Sequence, residues 1–161
     1  MRRTFLIRLG AGAAILAVLA GCGSSDETLS KSEFLAEGDE ICKRAHEQFA
    51  EVQEHPPGSA EAAATMTEKL IEISESELTQ IRDLSAPREV QPALDRYLRA
   101  RERGIAVLKR GLEAARDENA GAYASAQAQV ADSQVRRIKL AQAVGFEECS
   151  RVSASSGDAG G

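Results

Sequence analysis

Between residues 30 and 144 the apolar side chains return at steps of three and four, the period of helices with one buried face. A first stripe is made by Phe34, Leu35, Ile41, Cys42, Ala45, Phe49 and Val52; Ser30-x-x-Glu33 opens it as a capping box and Glu54-His55-Pro56-Pro57-Gly58 ends it. The second runs Met66, Leu70, Ile73, Leu78, Ile81, Leu84, with Ile71 alongside, from an N-cap at Ser59 to the break at Ser85-Ala86-Pro87. Val90, Leu94, Tyr97, Leu98, Ile105, Leu108 and Leu112 form the third. Pro87 suits a first helical turn, where its missing N–H removes no bond, whereas Pro92 predicts that helix three becomes regular only after it. The fourth stripe, from about Ala120 to Val144, is mostly alanine, with Tyr123, Val130, Ile138 and Leu140 as its larger members. Gly145 then fits a left-handed helix end, and Phe146 fits the apolar residue that folds back onto the last turn.

No alternating β-branched run interrupts this pattern. The expected class is all-α, an up-down-up-down four-helix bundle forming one domain over residues 30–152, in which the start of helix one and the end of helix four share one end. Glycine inside a helix costs ~1 kcal/mol relative to alanine. Gly104 and Gly111, on or near the third stripe, therefore predict close packing of helices three and four. Residues 153–161 are a Ser/Gly/Ala tail with too little apolar surface for a core, and are expected to be disordered.

The start of the chain follows another pattern. Arg2, Arg3 and Arg8 accompany an uncharged apolar run, Leu9 to Ala20, that is shorter than the ~20 residues of a spanning helix. That is the composition of a removable leader. It ends in Leu19-Ala20-Gly21-Cys22, which resembles the lipobox of bacterial lipoproteins. The resemblance implies a diacylglycerol joined to Cys22 by a thioether, cleavage of signal peptide 1–21, and residues 22–29 as lipidated cysteine and tether. Two or more acyl chains anchor a protein stably where one does not. The expected location is thus the extracytoplasmic face of a cell membrane, with the membrane a partner through the lipid on Cys22. Arg2-Arg3-Thr4-Phe5-Leu6 also resembles a twin-arginine export signal, from which Met1 and Ile7 depart; general secretion is the default.

With Cys22 taken, Cys42 and Cys149 remain in an oxidising compartment, where a disulfide is the favoured reading. The competing one is a metal held by Cys42 and His46, at i and i+4, with Cys149 as third ligand; no fourth is evident, and His46 reads more simply as a surface or boundary residue. Ile41-Cys42, Leu84-Ser85-Ala86-Pro87 and Gly145-Phe146-Glu147-Glu148-Cys149 are similar to motifs of small exported helical lipoproteins of actinobacteria. That similarity implies no activity.

Charge narrows the partners. Loss of the leader removes three of 20 basic residues and none of 25 acidic ones, so the formal net charge moves from −5 to −8. This argues against nucleic acid, which requires clustered cations. Residues 26–86 carry 15 acidic and 5 basic side chains, and residues 87–152 carry 12 basic and 9 acidic, so the two hairpins complement each other. Arg96, Arg99, Arg103 and Arg110 make a basic ridge on helix three, suited to an acidic partner, a phosphorylated polymer or lipid headgroups.

Support for catalysis is thin. The only histidines are His46 and His55, and the chain has no Gly-x-Ser-x-Gly, His-Glu-x-x-His, Glu-x-x-His or Cys-x-x-Cys-His motif and no phosphate loop. The carboxylates of helices one and two, including the i, i+4 pairs Glu33/Glu37 and Glu68/Glu72, have the spacing of a solvated face. No catalytic residue, metal or cofactor is assigned. The expectation is a non-enzymatic binding or scaffolding module at the cell envelope, its partner an unidentified envelope protein or polymer. The alternative is a small-ligand or metal carrier using the bundle interior, which predicts buried polar groups or an inward His46. An enzyme would need polar residues converging in a cleft, which the stripes do not show.

Overall fold

The structure, a computed structural model, describes residues 28–152. The helices are α1 (Lys31–Gln53), α2 (Ala60–Asp83), α3 (Gln91–Arg116) and α4 (Ala120–Val144), followed by the 3-10 turn η1 (Glu148–Ser150); the described residues contain no strand. This is the expected all-α four-helix bundle. The leader, the lipobox with Cys22, and the tail from 153 lie outside the described residues.

Local chemistry sets the helix ends. Ser30 Oγ accepts the Glu33 N–H at 3.3 Å while Glu33 Oε2 accepts from the Ser30 hydroxyl at 2.5 Å and the Ser30 N–H at 2.9 Å, and those two bonds to the carboxylate, the hydroxyl's first, hold the Glu33 carboxyl below its ordinary range. Ser59 Oγ accepts the Ala62 N–H at 3.1 Å and Asn119 Oδ1 that of Ala122 at 3.0 Å. The start expected at Pro87 does not occur: residues 88–90 form a turn, and the helix becomes regular only beside Pro92, one residue before it rather than after it. Helix α3 starts at Gln91, which puts Pro92 second in the first turn, where no backbone N–H has an intrahelical acceptor to lose. At the end of α4, Gly145 has φ 106°, and the Phe146 N–H reaches back to the Ala141 carbonyl at 3.1 Å. Phe146 goes further than the expected contact with the last turn: its ring enters the core, 5.5 Å from that of Phe34 and 5.8 Å, edge-on, from that of Tyr97.

The largest apolar cluster lies at that end of the bundle. It joins Phe34 and Ile41 of α1, Ile81 of α2, Leu94 and Tyr97 of α3 and Val144 of α4 around Phe146. A disulfide links Cys42 to Cys149 there, with Cα atoms 5.0 Å apart. One turn before Cys42, Asp39 accepts the N–H groups of Glu147 at 3.1 Å and Glu148 at 2.9 Å, fastening η1 to α1. Gly38 makes room for this arrangement, since a Cβ there would lie 2.3 Å from Phe146 Cε1. Gly38→Ala is therefore expected to destabilise the bundle by about 1–3 kcal/mol through overpacking. A lower urea midpoint at unchanged slope would show it; an unchanged midpoint would mean that the ring moves aside freely.

Helices α3 and α4 pack closely, as their small residues predict. A Cβ on Gly111 would sit 3.3 Å from Ala126 Cβ, and one on Gly104 3.5 Å from Ser133 Oγ. Exposed ion pairs Glu75–Lys109 and Arg82–Glu102, both at 2.7 Å, and Glu68–Arg116 join α2 to α3, which is the complementarity expected between the hairpins. Such pairs add little stability individually. By contrast α1 and α4 hardly approach each other. The Phe146–η1 segment fills the space between them at one end, touching both, and beyond it the bundle is open.

Candidate functional site

That opening leads into a cleft of about 390 Å³ lined by all four helices. Phe49 of α1, Met66 and Leu70 of α2, Ile105 and Leu108 of α3 and Val130 of α4 form apolar walls, with Pro56 and Pro57 also lining it. Near the disulfide the lining turns polar, with His46, Ser74, Glu77, Arg101 and Arg137, and Gln53 of α1 and Gln127, Ser133 and Gln134 of α4 add polar groups along the walls. Both the volume and the mixture of apolar wall with a few polar groups fall within the range of small-molecule sites.

Glu77 is the centre of the polar floor and is 3 % exposed. Its Oε2 accepts from Arg101 Nη2 at 2.5 Å and its Oε1 from Tyr97 Oη at 3.2 Å. Oε1 also lies 3.7 Å from Cys42 Sγ, a contact with a disulfide sulfur that has no proton to donate. Burial, and then the charge of Glu77, push the Tyr97 phenol well above its usual range, so it stays neutral and donates. Arg137, 8 % exposed, donates through Nη1 to the Cys149 carbonyl. Among the described residues no carboxylate lies within ion-pair distance of Arg137, and Arg101 Nε is buried without a hydrogen-bond partner. Glu77 thus pairs with Arg101 and leaves Arg137 without an ion-pair partner among the described residues.

His46 faces the same space and is half-buried. Burial, reinforced by Arg137, lowers its pKa, so the ring is neutral at pH 7. The unfolded chain takes up this proton near pH ~6.5 and the folded chain only at lower pH. The stabilising contribution is therefore complete above ~6.5 and falls away as pH drops from there toward the folded value. Denaturation midpoints should decline between pH 7 and pH 5, and less in His46→Gln; equal declines in the two proteins would contradict the assignment.

Comparison with family models, curated proteins and solved structures returns no match for the chain. Function has to be argued from the cleft itself.

Of the residues singled out in the sequence, Cys42 and Cys149 are joined to each other, so neither offers a thiolate to a metal beside His46. Arg96, Arg99, Arg103 and Arg110 are all exposed on α3 and none lines the cleft; Arg110 donates to Gln129 of α4 at 3.0 Å. Glu33 belongs to the cap, Glu68 pairs with Arg116, and Glu37, Glu72 and His55 are exposed. Two expectations need correction. The carboxylates of helices one and two do not all lie on a solvated face, because Glu77 is buried against Arg101. Nor are the helix interiors free of converging polar groups, because Glu77, Arg101 and Arg137 meet in one cleft from three helices.

Proposed function

We propose that this protein is an exported, non-enzymatic binding module that holds a small amphiphilic molecule inside its bundle, tethered to the extracytoplasmic face of a membrane by lipid on Cys22. The observation that carries the binding part is the cleft between α1 and α4, whose walls mix large apolar side chains with Gln53, Gln127 and Gln134 and whose floor carries the charged groups. Phe49, Met66, Leu108 and Val130 line it only half-buried, because no element fills the space opposite them. A bound apolar body would complete the burial that the two helices leave unfinished. Tyr97 and Arg101 are both committed to Glu77, an arrangement suited to holding a fixed shape. Attachment to the membrane rests on the lipobox, and no helix among the described residues is long and apolar enough to cross a bilayer.

The four described helices and the disulfide lie within residues 28–152, so the chain from residue 23 onward contains the bundle described above. Titrating it, oxidised, with the uncharged fluorophore N-phenyl-1-naphthylamine should give saturable one-to-one binding. Val130→Trp places an indole at the cleft wall and should abolish that binding while helicity and the disulfide persist. Absence of saturable binding, or binding indifferent to Val130→Trp, would refute the reading.

A further inference from the structure

The proposed cleft leaves open what kind of head group it receives, and its floor bears on that question. Three charged side chains approach it, Glu77, Arg101 and Arg137, while His46 is neutral. Glu77 compensates one guanidinium, Arg101, which is 12 % exposed, and leaves Arg137 without a counter-ion among the described residues. A carbonyl oxygen satisfies a donor of Arg137 but supplies no negative charge. Arg101, for its part, keeps one buried donor, Nε, without an acceptor. An uncompensated buried charge is unfavourable, and Arg137 lines the cleft, whereas the orphaned Nε of Arg101 is closed off from it. Resting on the reading above, we infer that the ligand is an amphiphile with a single negative charge, a medium-chain carboxylate by class. Its head group is taken up by Arg137, and its chain lies against Phe49, Met66 and Leu108.

Charge and volume set these limits. Arg137 is the one guanidinium of the floor without an ion-pair partner among the described residues, and a monoanion matches it; a dianion would set its second charge against Glu77 and Glu148, whose fields both reach His46, and a cation would be repelled by Arg137. At about 30 Å³ per water-sized group, the cleft volume of about 390 Å³ accommodates on the order of a dozen non-hydrogen atoms, the size of decanoate.

The experiment is displacement of bound N-phenyl-1-naphthylamine from the oxidised chain at pH 7.5 by decanoate, decanol, decyl phosphate and decylammonium, each below its aggregation threshold. Decanoate should displace the fluorophore at a concentration roughly tenfold or more below decanol, the ratio expected of a charge-assisted hydrogen bond, with decylammonium weakest. In Arg137→Gln, decanoate should lose its advantage, so that decanoate and decanol displace the fluorophore at similar concentrations. Equal potency of decanoate and decanol, a preference for decylammonium, or tighter binding of decyl phosphate would overturn the inference. If Arg137→Gln does not fold, the ranking on the unaltered chain decides alone. Failure of the cleft reading looks different, since the fluorophore would then not bind at all, whereas failure of the charge argument leaves its binding intact and the head-group preference missing.

Discussion

Replacing Glu77 by leucine should lower the stability of the bundle by about 3–5 kcal/mol, the usual consequence of breaking a buried ion pair from one side. The two side chains are only 3 % and 12 % exposed, so solvent does little to screen what is left behind. The mutant would leave Arg101 as a second uncompensated guanidinium beside Arg137 and the Tyr97 hydroxyl without its acceptor. Glu77→Gln should be milder, because its single amide oxygen still accepts from one of the two donors, although its NH2 then meets the other. The sharper comparison is the double variant Glu77→Leu with Arg101→Leu, which removes both charges and should recover most of the loss, as apolar replacements of buried pairs often do. Urea denaturation followed by circular dichroism measures all three. A loss under about 1 kcal/mol for Glu77→Leu, or a double variant no better than the single, would mean that the pair does not hold the floor as described.

Removing the disulfide should have an effect of similar size for a different reason. Cys42 and Cys149 are 107 residues apart, and constraining a loop of that length in the unfolded chain is worth about 4–5 kcal/mol in the chain-entropy model. Cys42→Ala with Cys149→Ala is therefore expected to bring the denaturation midpoint down sharply while leaving the helices formed. Asp39 and Phe146 still tie η1 to α1 in that variant, so the folded state keeps its docking contacts. Hydrogen exchange should nonetheless accelerate first in η1 and the last turn of α4, the part that loses its covalent support. A midpoint that hardly moves would show that the noncovalent contacts already restrict the unfolded chain. Both cysteines are fully buried, so the native bond should resist reductant until the region opens.

The bundle was legible because its signals are local. Ser30 with Glu33, Ser59 and Gly145 mark helix ends and behave in the structure as their chemistry requires, while Pro87 marks the break before α3 but lies ahead of the helix rather than in its first turn. Gly104, Gly111 and the alanines of α4 told of close packing because small residues have few other uses inside a helix. The cleft was harder to see, since it is created by what α1 and α4 fail to do, and no residue signals a missing contact. A trace of it was nevertheless present. Thr67, Leu70, Ser74, Glu77 and Ile81 follow the helical step, so three polar residues occupy stripe positions on α2. Arg101 falls in the gap between Leu98 and Ile105 of the third stripe, and Arg137 stands one turn before Ala141 in the fourth. A stripe traced through apolar residues alone steps over all three charges. Asp39 left no comparable mark: its partners, the N–H groups of Glu147 and Glu148, lie more than 100 residues away.

The bond between Cys42 and Cys149 also changes the topology of the molecule. From Cys42 through α2, α3 and α4 to Cys149 the chain is a closed covalent ring, with residues 28–41 attached as a branch. One cut by a protease in any turn of that ring, the Glu54–Ser59 connection for example, opens it without dividing the molecule. The nicked protein would migrate as a single species until a reductant separated the pieces, and every fragment would until then stay attached to whatever the N-terminal branch carries.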